Sequence, residues 1–209
     1  MSARLTLVLL FSLVPATVSL RATEPHTVVF FGDSLTAGYG LDDPASEAYP
    51  AIIEEKIAAA KLPWRVVNAG LSGETTSGGL RRVEWILRQH VDVFVLALGA
   101  NDGLRGIDPV VSQANLQGII HRVHASYPAA KIVLMGMQMP PNFGEEYTRA
   151  FAAMYPALAA KNRLTFVPFL LEGVGGRSEF NQPDGIHPTA QGAAIAAETV
   201  WKVLEPLLR

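Results

Sequence analysis

The chain is predicted to fold as an α/β protein, a single three-layer α/β/α domain with a five-stranded parallel sheet between helices. Three observations carry that expectation. Five short runs rich in β-branched and aromatic residues are separated by longer amphipathic segments. The runs are nearly continuous in apolar character rather than alternating, as strands buried on both faces must be. They also recur roughly every 30–40 residues, the spacing of strand–helix–strand units with parallel neighbours.

The first strand is Thr27–Phe31, and Gly32-Asp33-Ser34-Leu35 follows it directly. A helical stretch at Glu47–Lys61 leads to the second strand, Arg65–Asn68, which runs into Ala69-Gly70-Leu71-Ser72-Gly73. A helix near Gly79–His90 precedes the third strand, Val93–Leu98, and then Gly99-Ala100-Asn101-Asp102. In the next helix, Pro109–Ser126, residues Leu116, Ile119, Ile120 and Val123 stand at i, i+3, i+4 and i+7 and form one apolar stripe. The fourth strand, Lys131–Met135, opens into a Met-rich run ending at Pro140-Pro141-Asn142. A helix at Glu145–Lys161 and the fifth strand, Thr165–Val167, lead to a loop carrying Asp184-Gly185-Ile186-His187-Pro188. The last helix, Thr189–Leu208, continues a stripe of Ala196, Val200, Val203, Leu204 and Leu207, with Thr189 suited to cap it. No internal repeat or linker interrupts the series.

At about 150 residues per domain, 209 residues make one domain. With 49% hydrophobic and 17% charged residues, the chain has the apolar content for a large core, which excludes disordered and collagen-like classes. The net charge is −2 and the Lys and Arg residues are scattered singly, so no basic stripe points to nucleic acid. The absence of cysteine removes disulfides, thiol nucleophiles, Fe–S clusters, Cys-based zinc sites and lipid attachment to a cysteine. At the start, Arg4 precedes sixteen uncharged residues, Leu5–Leu20, with small residues near Ala16 to Ala22. That pattern reads as a secretory signal peptide over residues 1–22, with an uncleaved anchor as the alternative, leaving 23–209 as an exported, periplasmic or secreted domain without a stable membrane span after processing. Pro15 breaks the run, and sixteen residues fall short of the ~20 that a helix needs to cross a bilayer.

In a parallel sheet covered on both faces, ligands sit beyond the carboxyl ends of the strands. Four of those positions carry residues suited to catalysis. Ser34 follows the first strand, and a serine hydroxyl becomes a nucleophile when a neighbouring base takes its proton. His187 is the natural base. Asp184, three residues earlier, can meet the imidazole across one tight turn, hold its tautomer and stabilise the imidazolium. Acyl transfer also needs donors for the developing oxyanion, and the Ser34 N–H, a Gly70 N–H and the Asn101 side-chain amide are the candidates. Asp33 and Asp102 compete with Asp184 for the role of acid. The i, i+3 tie of Asp184 to His187 favours Asp184.

Gly32-Asp33-Ser34-Leu35, Gly70, Gly99-Ala100-Asn101-Asp102 and Asp184-x-x-His187 together resemble the four motif blocks of the SGNH (GDSL) hydrolases. The resemblance covers almost all of residues 27–208. Asn68-Ala69-Gly70-x-Ser72-Gly73 and Leu98-Gly99-Ala100-Asn101-Asp102-Gly103 are similar to the secreted bacterial arylesterase, acyl-CoA thioesterase I and lysophospholipase L1 group. It implies a flavodoxin-like strand order 2-1-3-4-5. It also implies a cofactor-free serine esterase or thioesterase acting on small-molecule acyl esters through an acyl-serine intermediate. Ser34, Asp184 and His187 are then the triad, Ser34, Gly70 and Asn101 the oxyanion hole, and Asp33 and Asp102 scaffold hydrogen-bonders.

Met135, Met137 and Met139 alternate along the fourth strand, and adaptable Met side chains suit either the core or a ligand pocket. In the resembling group this loop contacts the acyl chain, which implies a pocket of Met139, Pro140, Asn142 and Phe143. The Gly- and hydroxyl-rich segment Ser72–Gly79 has the composition of a loop that moves over substrate. His121 and His124 lie i, i+3 on a predicted helix without a third ligand nearby, so no metal site is expected. Dinucleotide and P-loop fingerprints and the G-x-S-x-G elbow are absent from the sequence. Two further readings stand beside the esterase. One is an O-acetyl esterase acting on envelope or plant polysaccharide. The other is a non-catalytic flavodoxin-like binding protein. The sequence leaves oligomeric state open.

Overall fold

The computed structural model describes residues 25–209; the expected leader lies outside them. Strands β1 (His26–Gly32), β2 (Trp64–Gly70), β3 (Val93–Ala97), β4 (Lys131–Met135) and β5 (Thr165–Val167) form one sheet in the order β2-β1-β3-β4-β5. Every pairing is parallel, and the register sets Gly32 beside both Gly70 and Ala97. The central strands are buried throughout: Val28 to Phe31 and Val93 to Leu96 are shut off from solvent on both faces. The edge strand β2 departs from the expected two-sided burial. It is half-exposed, and Arg65 on it donates from Nε to the Thr27 hydroxyl at 2.8 Å.

The helices are α1 (Ser34–Ala37), α2 (Pro44–Glu47), α3 (Tyr49–Ala59), α4 (Thr76–Ile86), α5 (Ala100–Leu104), α6 (Pro109–Ser126), α7 (Glu145–Asn162) and α8 (Ala190–Leu208). α3 packs against α8, while α4 packs on α6 and α6 on α7. Right-handed crossovers account for this division. The β1-to-β2 connection runs one way along the sheet and the later ones run the other way. Its helix α3 therefore lies on the opposite face from α4, α6 and α7, and α8 returns to the α3 side.

Three departures from the sequence reading have local causes. The helix expected over Glu47–Lys61 is split at Ala48, which is extended (φ −64°, ψ 143°). Pro50 has no N–H to offer a preceding turn and its ring would strike that turn's carbonyl, so a new helix starts around it. The helix expected from Gly79 begins three residues earlier, because the Thr75 hydroxyl accepts from the Gly78 N–H at 3.3 Å and caps it. Thr76 to Gly79 are therefore helical rather than part of a mobile loop. A Cβ at Gly79 would collide with Leu98, so its smallness serves close packing of α4 on the sheet. α1 and α5 are single turns without a periodic signal, and both stand at strand ends.

Candidate active site

β1 and β3 are neighbours whose crossovers leave in opposite directions, and the crevice opens at their carboxyl ends. At the end of β1, a Cβ on Gly32 would collide with Thr36 and the Ala97 carbonyl, so glycine lets α1 fold back onto the sheet. Asp33 caps that turn, its carboxylate accepting from the Leu35 N–H at 3.1 Å. Ser34 thus becomes the first residue of α1. Gly38, left-handed at φ 76°, ends the turn, and the Thr36 and Tyr49 hydroxyls bond at 2.9 Å to fix α1 on α3.

His187 comes from the loop after β5. Residues 181–188 form a small hairpin, closed by an Asn181–Pro188 bridge and by the Gln182 N–H donating to the His187 carbonyl at 2.7 Å. Buried Asn181 donates to the Val174 and Arg177 carbonyls at 2.7 and 2.8 Å and anchors one side. Gln182 Nε2 donates to the Tyr39 and Pro188 carbonyls at 2.8 and 2.9 Å and ties the other side to the α1 region. Thr189 caps α8, as expected, by accepting from the Gly192 N–H at 3.2 Å.

This scaffold puts His187 Nε2 2.9 Å from the Ser34 hydroxyl and His187 Nδ1 2.7 Å from Asp184 Oδ2. The other carboxylate oxygen of Asp184 accepts from the Ile186 and His187 N–H groups at 2.9 and 3.0 Å. Partial burial pushes the Asp184 carboxyl up. Hydrogen bonds from the His187 ring and the two N–H groups outweigh that push and lower it to about 2. With Nε2 facing the hydroxyl and Nδ1 the carboxylate, the ring is held in a base-competent orientation.

The competing carboxylates are occupied elsewhere. Asp102 is buried and accepts from the Thr76 N–H at 2.8 Å, the Thr76 hydroxyl at 2.5 Å and the Ser112 hydroxyl at 3.1 Å, joining α5 to α4 and α6. Asp33 is also buried, and burial pushes its carboxyl up to about 7. The Leu35 N–H opposes that rise, the nearby Asp102 adds to it, and the neighbouring Asn101 amide opposes it more weakly.

Asn101 stands on α5, beyond the left-handed Gly99 (φ 119°) at the end of β3. It lines the crevice, and its Nδ2 donates to the Glu74 carbonyl at 3.1 Å and makes no second hydrogen bond among the described residues. Gly70 is a correction. Its N–H is donated to Asn68 Oδ1 at 3.0 Å, and the residue lines a separate groove along the edge strand. Its lack of a side chain serves a close approach to Ala37, not to a ligand. Gly73, three residues on and left-handed at φ 79°, makes no hydrogen bond through its N–H among the described residues. It sits beside the Glu74 carbonyl that holds Asn101, and its own carbonyl accepts from Arg105 at 3.1 Å.

A cavity of about 520 Å³ extends from Ser34, Asn101 and His187 toward the β4 and β5 side. Met139 and Pro140 line it as expected; Asn142 and Phe143 do not. Phe143 instead packs on the Tyr147 ring, 6.4 Å between centroids, because the turn at Pro141–Phe143 points it toward α7. Pro141, Met137, Leu104, Phe169, Leu171 and Ile186 complete the mainly apolar wall. Among the described residues, no group of three or more His, Cys, Asp or Glu side chains is arranged to hold a metal ion.

Comparison with known proteins adds an independent finding. Residues 30–195 match the family described as GDSL-like Lipase/Acylhydrolase. The chain is 41% identical over 184 residues to Esterase TesA of Pseudomonas aeruginosa, covering 88% of this chain and 90% of that protein. It is 38% identical over 192 residues to Thioesterase 1/protease 1/lysophospholipase L1 of Escherichia coli, covering 91% and 89%. It is 37% identical over 201 residues to an arylesterase of Vibrio mimicus, covering 96% of each. A crystal structure of TesA superposes with a TM-score of 0.83 at 41% identity, over 88% of this chain and all of that one.

Proposed function

The chain belongs to the GDSL-like lipase/acylhydrolase family, the SGNH hydrolases, and is a serine esterase or thioesterase; from that premise we propose which of its groups perform the reaction. Ser34 is the nucleophile, His187 the general base and Asp184 the acid that orients it. The observation that carries this assignment is the unbroken relay of 2.9 and 2.7 Å from the Ser34 hydroxyl through the imidazole to Asp184.

As Ser34 Oγ attacks the ester carbonyl, its proton passes to His187 Nε2, and the imidazolium is stabilised by the ionised Asp184. Negative charge gathers on the former carbonyl oxygen. The Ser34 N–H, the free proton of the Asn101 amide and the Gly73 N–H receive it, Gly73 taking the place first expected of Gly70. Collapse expels the alcohol or thiol, protonated from Nε2, and leaves acyl-Ser34. Water, deprotonated by His187, attacks that ester, and the second tetrahedral intermediate releases the acid and restores the hydroxyl. Every step uses groups of this chain.

The apolar cavity supports acyl groups longer than acetyl as substrates, in preference to the polysaccharide O-acetyl reading. Met139 and Pro140 are the acyl-contacting members of the loop first singled out. The leader-like residues 1–22 support export of the domain formed by residues 23–209, within whose described part no helix is long and apolar enough to cross a membrane. The test is an acyl-length series of p-nitrophenyl esters and acyl-CoA thioesters with the purified mature chain, beside Ser34→Ala. Hydrolysis rising beyond acetate, and lost on the ~10⁶ scale in Ser34→Ala, is the expected result. Activity confined to acetate would move the substrate to O-acetyl esters. Near-full activity of Ser34→Ala would remove the mechanism. Failure of the parent to react with a serine-directed fluorophosphonate would favour a binding protein.

A further inference from the structure

Glu74 and Arg82 form a buried ion pair with no part in the relay. The Glu74 side chain is 5% exposed and that of Arg82 20%. Arg82 Nε donates to Glu74 Oε2 at 2.6 Å, and its Nη2 meets the same oxygen. The pair has a shaped seat. A Cβ at Gly78 would lie 2.8 Å from Glu74 Oε1, so glycine leaves room for the carboxylate to rest against α4 where a larger residue would make it shift. The guanidinium lies 4.2 Å from the Phe31 ring centroid, and its Nη2 lies 3.5 Å from the Gly32 carbonyl, two residues before Ser34.

Burying two charges is a poor way to add stability, since desolvation offsets most of their attraction. What a buried, forked pair fixes well is direction. The segment it fixes here is the Leu71–Glu74 turn, closed by the Glu74 N–H donating to the Leu71 carbonyl at 3.1 Å and joined to β1 by the Leu71 N–H on Gly32 O at 3.0 Å. Glu74 presents its carbonyl to Asn101 Nδ2 from that turn. The amide group is planar, so anchoring one of its N–H bonds sets the direction of the other.

We propose that the Glu74–Arg82 pair is a positioning device for the oxyanion hole: it fixes the turn whose Glu74 carbonyl aims the free N–H of Asn101 at the substrate oxygen. This rests on the reading of Asn101 as an oxyanion donor. Neither Glu74 nor Arg82 touches the reacting atoms, so their effect falls on the barrier to the chemical step and not on substrate capture. Misplacing a catalytic group by about 1 Å can cost ~10²-fold in rate.

The experiment measures kcat and KM on p-nitrophenyl butyrate for Arg82→Met, Asn101→Ala and the double variant in the mature chain. Folding is checked by circular dichroism. Arg82→Met is expected to lower kcat about 10- to 100-fold while KM stays within about twofold. Asn101→Ala alone is expected to lose roughly 10²–10³. In its absence Arg82→Met should cost less than it costs the parent, because the donor aimed by the Glu74 carbonyl is gone and only the Gly73 N–H of the same turn is left to misplace. Arg82→Lys, which keeps the cation but not the fork, should recover part of the loss. A folded Arg82→Met with kcat within twofold of the parent overturns the proposal, and so does an undiminished loss in the Asn101→Ala background. If Arg82→Met does not fold, Glu74→Gln decides. It retains the shape of the pair, and a kcat about three- to tenfold lower at constant KM supports the proposal while an unchanged kcat overturns it. Full activity of Asn101→Ala would instead strike the oxyanion assignment, and the positioning role would fall with it.

Discussion

Asp33 lies next to Ser34, 1% exposed, with one carboxyl oxygen bonded to the Leu35 N–H and the other, Oδ2, without a hydrogen-bond partner among the described residues. Such an oxygen is easier to bury as a neutral acid than as an anion, and burial accordingly raises the carboxyl from 3.8 to about 7. The folded protein then holds a proton that the unfolded chain releases above about pH 4. Between these limits the native state binds more protons than the unfolded state, so its stability falls as pH rises and levels off above about 7. At ~1.36 kcal/mol per pH unit the fall amounts to about 4 kcal/mol. Asp33→Asn removes this titration. It keeps an acceptor for Leu35 but places an unpaired amide NH₂ where Oδ2 was, at a pH-independent cost of about 1–3 kcal/mol. The variant should be less stable than the parent near pH 4 and more stable near pH 8, by about 1–3 kcal/mol in each case. Urea unfolding followed by fluorescence of the three tryptophans, at intervals across that range, measures the difference directly. Other titrating groups contribute equally to both proteins and cancel. A difference that does not change with pH, or one that moves against the variant as pH rises, would refute the reasoning.

Asp184, lowered to about 2, is ionised at every pH where the enzyme is assayed, so the cost of Asp184→Asn, about 10⁴-fold in kcat, should be the same from pH 5 to 8. Its contribution to stability has the usual sign for a depressed carboxyl, present above 3.8 and lost as pH falls through about 2; acid unfolding curves of parent and variant should converge there. Leu104→Trp fills part of the 520 Å³ cavity and should raise KM at least about tenfold for an octanoyl ester while leaving acetate hydrolysis near that of the parent, a split that chain-length kinetics detects. Gln182→Ala cuts the two side-chain bonds that hold the hairpin to Tyr39 and Pro188, and should slow fluorophosphonate labelling of Ser34 about tenfold with little change in Tm.

The central sheet was legible because the signal and its cause coincide: Val28 to Phe31 and Val93 to Leu96 are continuous apolar runs since both faces are covered. The Asp184–His187 bond was legible for a similar reason. Asp184 and His187 lie in one turn, so their i, i+3 spacing already contains the geometry of their bond. A residue without a side chain at Gly70 signals close approach, but the sequence does not say to what. The partner is Ala37, at the end of helix α1. The free N–H of Gly73 follows from a left-handed turn and from where its neighbours' bonds go, and neither is a property of the local sequence. The pocket wall shows the same limit. Phe143 and Phe169 are alike as residues. Phe169, from the loop after β5, reaches the cavity, while a 3₁₀ turn rotates Phe143 onto Tyr147.

The site therefore has two halves built by different means. Ser34 and Asn101 follow adjacent strands, ~4.8 Å apart across the sheet, and their separation is set by backbone pairing that the whole core enforces. Their freedom is small, and small adjustments such as aiming the Asn101 amide fall to neighbours like the Glu74 turn. His187 arrives from beyond β5, the far edge of the sheet, through a loop of about twenty residues that no strand register can position. Its precision must be local. The bonds from the Ile186 and His187 N–H groups to Asp184 make the acid and base one unit, and Asn181 and Gln182 moor that unit at either side. Loosening the hairpin should then displace acid and base together, weakening proton transfer from Ser34 while the oxyanion donors stay in place. Loosening the Glu74 turn should do the reverse. Because both halves act in the same transition state, the two losses are expected to combine less than additively, which a double variant of Gln182 and Arg82 would expose.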